Sequence, residues 1–214
     1  MRKQIACLAS ILALSLMLRP AAQGQFTPIA QPDAWYISNT TLLPTPATFP
    51  ALSVTDGSFT VNLSAAADYD RVVPGDWSTW NSPPWVETPT PHVLYTGVTT
   101  LTMTFSNPVS IFGFEAEPDP FNIYNMSAVF YLGPNPVGTI TLPVNGNAGA
   151  RLFAARGTFF DSVVFSSEQD FAIARLRYGM DPGGPAAIPE AGTLASFGSM
   201  AGLGLLWLRR RFLA

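Results

Sequence analysis

Hydrophobic and polar positions alternate with a period of two through much of the chain beyond residue 93. Leu101, Met103 and Phe105 interleave with Thr100, Thr102 and Thr104, the pattern of a strand buried on one face. Similar runs follow at residues 109–115, 126–132, 137–142, 151–155, 160–166 and 170–178. Between them lie turn-forming residues: Asn107-Pro108, Pro118-Asp119-Pro120, Gly133-Pro134-Asn135-Pro136 and Asn145-Gly146-Asn147. Upstream, residues 53–64 read as a strand interrupted by a turn at Asp56-Gly57, and Trp35-Tyr36-Ile37 as a short strand. Residues 74–91 form a long irregular segment carrying five prolines, a length that marks functional loops more often than connectors. No stretch between the two ends shows a helical period. The pattern predicts an all-β body, an antiparallel β-sandwich of jelly-roll-like type.

The ends differ from the body. Arg2 and Lys3 precede an apolar run at residues 5–18, and Ala22-Gln23-Gly24 supplies small residues for a signal peptidase. Residues 1–24 are therefore expected to be a cleaved secretory signal, with an uncleaved N-terminal anchor as the competing reading. Residues 25–181 form one domain and 182–187, with Gly183-Gly184, a linker. Beyond it, residues 191–208 hold no charge. As a helix they would span about 27 Å, enough for a single transmembrane crossing. Arg209, Arg210 and Arg211 then act as a topology stop on the cytoplasmic side, which leaves the body outside.

Charge and reactive side chains narrow the function. Residues 25–187 carry five arginines, no lysine and thirteen carboxylates, a net charge of −8. Such a surface repels phosphate backbones, so nucleic acid is not an expected partner. The only cysteine, Cys7, lies in the signal, and the only histidine is His92. No serine or cysteine motif surrounds His92, so a nucleophilic triad is not expected there, and one histidine cannot build a multi-histidine metal site; His92 is expected at a loop end or strand edge. The protein is expected not to be an enzyme and to need no cofactor.

Two clusters remain as candidate sites. Glu115 and Glu117 share one face of a predicted strand with Asp119 just beyond, and Asp68 and Asp70 are spaced alike. Carboxylates this close repel unless solvated or bridged, so Glu115, Glu117 and Asp119 are Ca²⁺ candidates. The alternative is a solvated acidic edge that discourages strand pairing. A carboxylate-dependent hydrolase is a further alternative, though no pair stands out among thirteen acids. In "GDWSTWNSPPW" (75–85), Trp77, Trp80 and Trp85 crowd a proline-stiffened loop. Exposed indoles there would stack on sugar rings as in a carbohydrate-binding module, whereas inward-facing ones would cap the core.

Ile188, Pro189, Glu190, Ala191 and Gly192, followed by a glycine-rich apolar segment and terminal arginines, resemble the PEP-CTERM sorting signal of exported bacterial proteins. That family usually has Val-Pro-Glu-Pro; here Ile188 and Ala191 replace its first and last residues. The resemblance implies recognition and cleavage near this motif by an exosortase, a membrane-embedded cysteine transpeptidase. It also implies export through the secretion machinery of a Gram-negative bacterium that makes extracellular polysaccharide. Three pieces of the body, "FSNPVSIFGFEAEP" (105–118), "VGTITLP" (137–143) and "FFDSVVFSSEQDFAIARLRYG" (159–179), are similar to β-sandwich domains found ahead of such tails. Their last strand commonly reads Phe-Ala-Ile-Asp-Asn-Leu; Ala174 and Arg175 stand here in the Asp-Asn places. The expectation is an exported protein of the cell envelope, surface or biofilm matrix, associated with exopolysaccharide.

Overall fold

A computed structural model describes residues 24–184. Glu190 and the rest of the sorting motif, the predicted transmembrane segment and the three terminal arginines lie outside the described residues, as does the predicted signal up to residue 23. Among the described residues no helix is long and apolar enough to cross a membrane.

The body is all-β. Its strands are β1 (Thr27–Ile29), β2 (Thr41–Leu42), β3 (Ala51–Thr55), β4 (Thr60–Ala67), β5 (Tyr69–Val72), β6 (His92–Tyr95), β7 (Thr100–Pro118), β8 (Ile123–Leu132), β9 (Asn135–Asn145), β10 (Arg151–Ser167) and β11 (Phe171–Gly179). All belong to one antiparallel sheet, whose main path runs β5-β6-β11-β7-β10-β8-β9. β1 adds to β10, β2 to β11, and the β3-β4 hairpin to β7. The Asp56-Gly57 turn forms as expected, with Asp56 Oδ1 accepting from the amides of Ser58 and Phe59.

β7 and β10 hold the sheet together and bend within it. Phe153 and Phe165 are twelve residues apart on β10, which as straight strand would separate them by about 40 Å. Their ring centroids lie 4.9 Å apart, so the strand turns back on itself. The pairing of β10 with β7 slips between Arg156 and Phe160, and again between Phe160 and Ser162. Opposite the second slip, β7 accommodates residues 105–108. Asn107-Pro108 is thus not the turn its sequence predicts but an irregularity inside one long strand. The bend brings Phe114, Phe153, Phe165 and Phe171 into one core, with edge-on ring contacts of 4.7–4.9 Å around Phe165.

The other face of β7 and β11 is also covered, which is why residues 109–118 of β7 are buried without alternation. Residues Trp35-Tyr36-Ile37 form part of a short helix, α1 (Ala34–Ser38), and not a strand. Asp33 caps it, its Oδ1 accepting from the Tyr36 amide at 2.8 Å. The helix turns Tyr36 inward onto Ile111, Leu152 and Ala154. Beside it the predicted irregular segment packs Val73, Trp77, Trp80 and Val86 against Val93, Ala150, Ala172 and Ala174.

Candidate functional site

The segment between β5 and β6 is pinned to the sheet through two buried carboxylates. On β7, Phe114 and Ala116 point into the main core, so Glu115 and Glu117 point the other way, under this loop. Trp80 donates its indole N–H to Glu115 Oε2 at 2.7 Å, and the Glu87 amide donates to Oε1 at 2.6 Å. Trp77 donates to Glu117 Oε2 at 2.8 Å. The Thr79 hydroxyl lies 2.6 Å from Glu117 Oε1 and 2.8 Å from the Gly146 carbonyl. Both glutamates are 0 % exposed.

Burial raises both carboxyl pKa values to about 7, only partly opposed by these hydrogen bonds. Thr79 has one proton for two acceptors. A protonated Glu117 resolves that count, since it can donate to Thr79 while Thr79 donates to Gly146.

This geometry corrects three expectations. Trp77 and Trp80 are 5 % and 1 % exposed: they cap the sheet, and their faces are closed to a sugar. Only Trp85, 41 % exposed, remains at the surface, with the Arg151 guanidinium 4.9 Å over its ring. Glu115 and Glu117 are not a solvated acidic edge, because β7 is central and covered. Nor do they make a Ca²⁺ cage, since N–H and O–H donors surround their oxygens where a cation needs acceptors. Asp119 stands apart, its amide bonded to the Asp170 carbonyl and its carboxyl pKa raised by partial burial and by the Asp170 charge. Among the described residues no three His, Cys, Asp or Glu side chains gather to hold a metal ion. His92 is exposed at the start of β6, with Nδ1 2.5 Å from Asp70.

Three residues that were not candidate site residues in the sequence complete the site. Glu87 is nearly buried and binds two arginines of β11. Its Oε1 accepts from Arg177 Nε at 2.6 Å, while Oε2 accepts from Arg177 Nη2 at 2.9 Å and from Arg175 Nη2 at 2.6 Å. A bulge places them there. Ala174 pairs with Glu115 but Arg177 pairs with Gly113, so two residues of β11 oppose one of β7. Arg175 sits in the bulge at φ +54°, a left-handed conformation that non-glycine residues seldom adopt, Asn and Asp being the most tolerant. The bulge turns Leu176 into the core and Arg177 toward Glu87. The signal in the sequence was a pair of charges inside an otherwise apolar strand, "FAIARLRYG".

No family model matches the chain, and no curated protein does. Among solved structures, it is similar to the enzymatically active domain of tailspike protein 4 from bacteriophage CBA120. That match has 20 % identity and a TM-score of 0.28, and covers 68 % of this chain and 20 % of the other. A second is the GH31 CBM32-2 structure bound to GalNAc, with 14 % identity and a TM-score of 0.28, covering 75 % of this chain and all of the other. This chain thus spans about a fifth of the tailspike chain's length. At such TM-scores neither likeness carries an argument about fold or ligand, and the chain's own geometry is what bears on its function.

Proposed function

We propose that the chain is an exported, non-enzymatic protein with a β-sandwich body, sorted by its C-terminal segment and held at the cell surface or in the matrix with polysaccharide. Residues 1–24 direct export. An exosortase reads Ile188, Pro189, Glu190, Ala191 and Gly192 while the apolar segment and Arg209, Arg210 and Arg211 hold the chain in the membrane. The observation that carries the non-enzymatic part is the sealing of Glu115 and Glu117. Both oxygens of each carboxyl group are hydrogen-bonded to groups of a closed loop, so a substrate has no approach to this pair. Phe26, the second residue after the expected signal cleavage point, packs on Phe130 at 5.3 Å, so cleavage after Gly24 leaves that contact in the body.

Mass spectrometry of the surface protein in its native host tests the sorting. A mature chain lacking Arg209, Arg210 and Arg211 is the expected result, and an intact C-terminal peptide overturns it. For sugar binding by the tryptophan loop, Trp85 alone keeps an open position. Polysaccharide binding that survives Trp85→Ala removes that residue from the contact.

A further inference from the structure

We propose that the cleft between the N-terminal segment and the proline-rich loop holds one neutral sugar unit of a polysaccharide. The assignment rests on the association proposed above and says where it occurs. The cleft has a volume of about 510 Å³, with Gln31, Asp33 and Ile37 on one wall, Pro83 and Pro84 on the other, and Arg175 in its floor. That size is within the range of small-molecule sites.

Three observations give it a ligand chemistry. First, the floor is built. Glu87 uses both oxygens to hold the Arg175 and Arg177 guanidinium groups, which fixes these donors before any ligand arrives. Nε and Nη2 of Arg175 are bonded to Glu87, which leaves Nη1 as a donor for a ligand oxygen. Second, Arg175 keeps its place at a left-handed φ, and strain of this kind persists where position matters more than backbone comfort.

Third, the donors and acceptors are mixed and the charges balance. Arg175 and Arg177 oppose Glu87 and Asp33. Asp33 spends Oδ1 on the helix cap, leaving Oδ2 to accept. The Gln31 amide can do either, and Ile37 with the two prolines supplies apolar surface. A sugar presents the matching set, hydroxyls that donate and accept around a face of C–H groups. A polyanion is disfavoured, since the cleft has no surplus cation and the body carries −8.

Titration calorimetry of the full chain with maltose, lactose and cellobiose tests the site. At least one should bind. Asp33→Asn keeps the helix cap but replaces the acceptor, and should weaken binding about tenfold. Ile37→Trp, which fills the cleft, should abolish it, and Leu52→Ala, at an exposed position that does not line the cleft, should leave it within about twofold. Should Ile37→Trp fail to fold, the exposed Asp33→Asn decides. No binding of any of the three sugars overturns the proposal, as does equal binding by wild type and Asp33→Asn. A preference for digalacturonate or free glutamate over the neutral sugars also overturns it. Co-sedimentation with the host's exopolysaccharide separates the two levels. If wild type and variants sediment alike, the site is wrong and the polysaccharide reading stands; if wild type does not sediment, that reading fails.

Discussion

Trp80 donates its indole N–H to Glu115 across 2.7 Å, in a place that solvent does not reach. The bond inverts the ordinary meaning of a tryptophan-rich loop on a β scaffold. The indole is spent on a buried carboxylate of the neighbouring sheet, and Trp77 does the same for Glu117 one step along the strand. A long proline-rich segment, which has no strand pairing of its own, is thereby fixed at two points. The arrangement also decides where a ligand can go: the sheet face under the loop is closed, and access is left to the cleft beside it.

Trp80→Phe keeps most of the packing and removes the donor. Glu115 Oε2 then loses its partner in a buried setting, and the expected cost is about 1–3 kcal/mol of stability. Trp85→Phe, at the surface, should change stability by less than about 0.5 kcal/mol. Chemical denaturation of the two variants checks the contrast, and equal losses would refute the hydrogen-bond account.

The strands of this protein were legible because each half-buried run announces itself by period. Leu101 and Met103 are fully buried beside their exposed or half-buried threonine neighbours, as the alternation requires. Alternation fails where both faces are covered, and there the sequence misleads: Glu115 and Glu117 look like an outward acidic row because nothing local shows that a loop forty residues away in sequence folds over them. The helix at Ala34–Ser38 was hidden for another reason. Trp, Tyr and Ile favour strands intrinsically, and a single capping bond from Asp33 together with burial of Tyr36 overrides that preference. Arg175, Arg177 and Glu87 come together only through a bulge, which has no periodic signature at all.

The paired glutamates make stability depend on pH in an unusual sense. Their folded values near 7 lie above the ordinary 4.5, so between those limits the folded state holds protons that the unfolded state has released. Stability therefore falls as pH rises from about 4.5 to about 7 and levels off above it. Below 4.5 both states are protonated and the two residues contribute no further change. Asp56, held low by Tyr178 and by the Phe59 and Ser58 amides, acts in the opposite sense only at more acidic pH. Thermal midpoints should drop on going from pH 5 to pH 7, at about 2–4 °C per kcal/mol for a chain of this size. Glu115→Gln with Glu117→Gln should flatten that slope; an unchanged slope would remove these residues as its source.

The two arginines on Glu87 should not be equivalent. Arg177 is almost buried and gives Glu87 two hydrogen bonds, one to each oxygen, whereas Arg175 is about a quarter exposed and bonds only Oε2. Arg177→Met strands a buried carboxylate oxygen and should cost about 3–5 kcal/mol. Arg175→Asn loses an outer contact while placing a residue tolerant of φ +54° in the bulge, so its loss should be much smaller. Urea midpoints of the two variants measure the difference, and a larger loss for Arg175→Asn would contradict the geometry.

Gly113 and Tyr36 should be coupled through one small space. A methyl group at Gly113 would lie 2.3 Å from the Ala154 Cβ and 2.5 Å from the Tyr36 hydroxyl oxygen. Gly113→Ala should therefore cost about 1–3 kcal/mol by overpacking. The Tyr36 hydroxyl is fully buried and has no hydrogen-bond partner among the described residues, so Tyr36→Phe removes an unpaired polar group. It should leave stability unchanged or raise it by about 1 kcal/mol. In the double variant the hydroxyl clash is gone while the Ala154 clash stays. The loss should then be smaller than in Gly113→Ala alone, yet not abolished, and a double-mutant cycle reads that coupling directly. A Gly113→Ala protein with an unaltered melting midpoint would show that the sheet and α1 are not packed this closely.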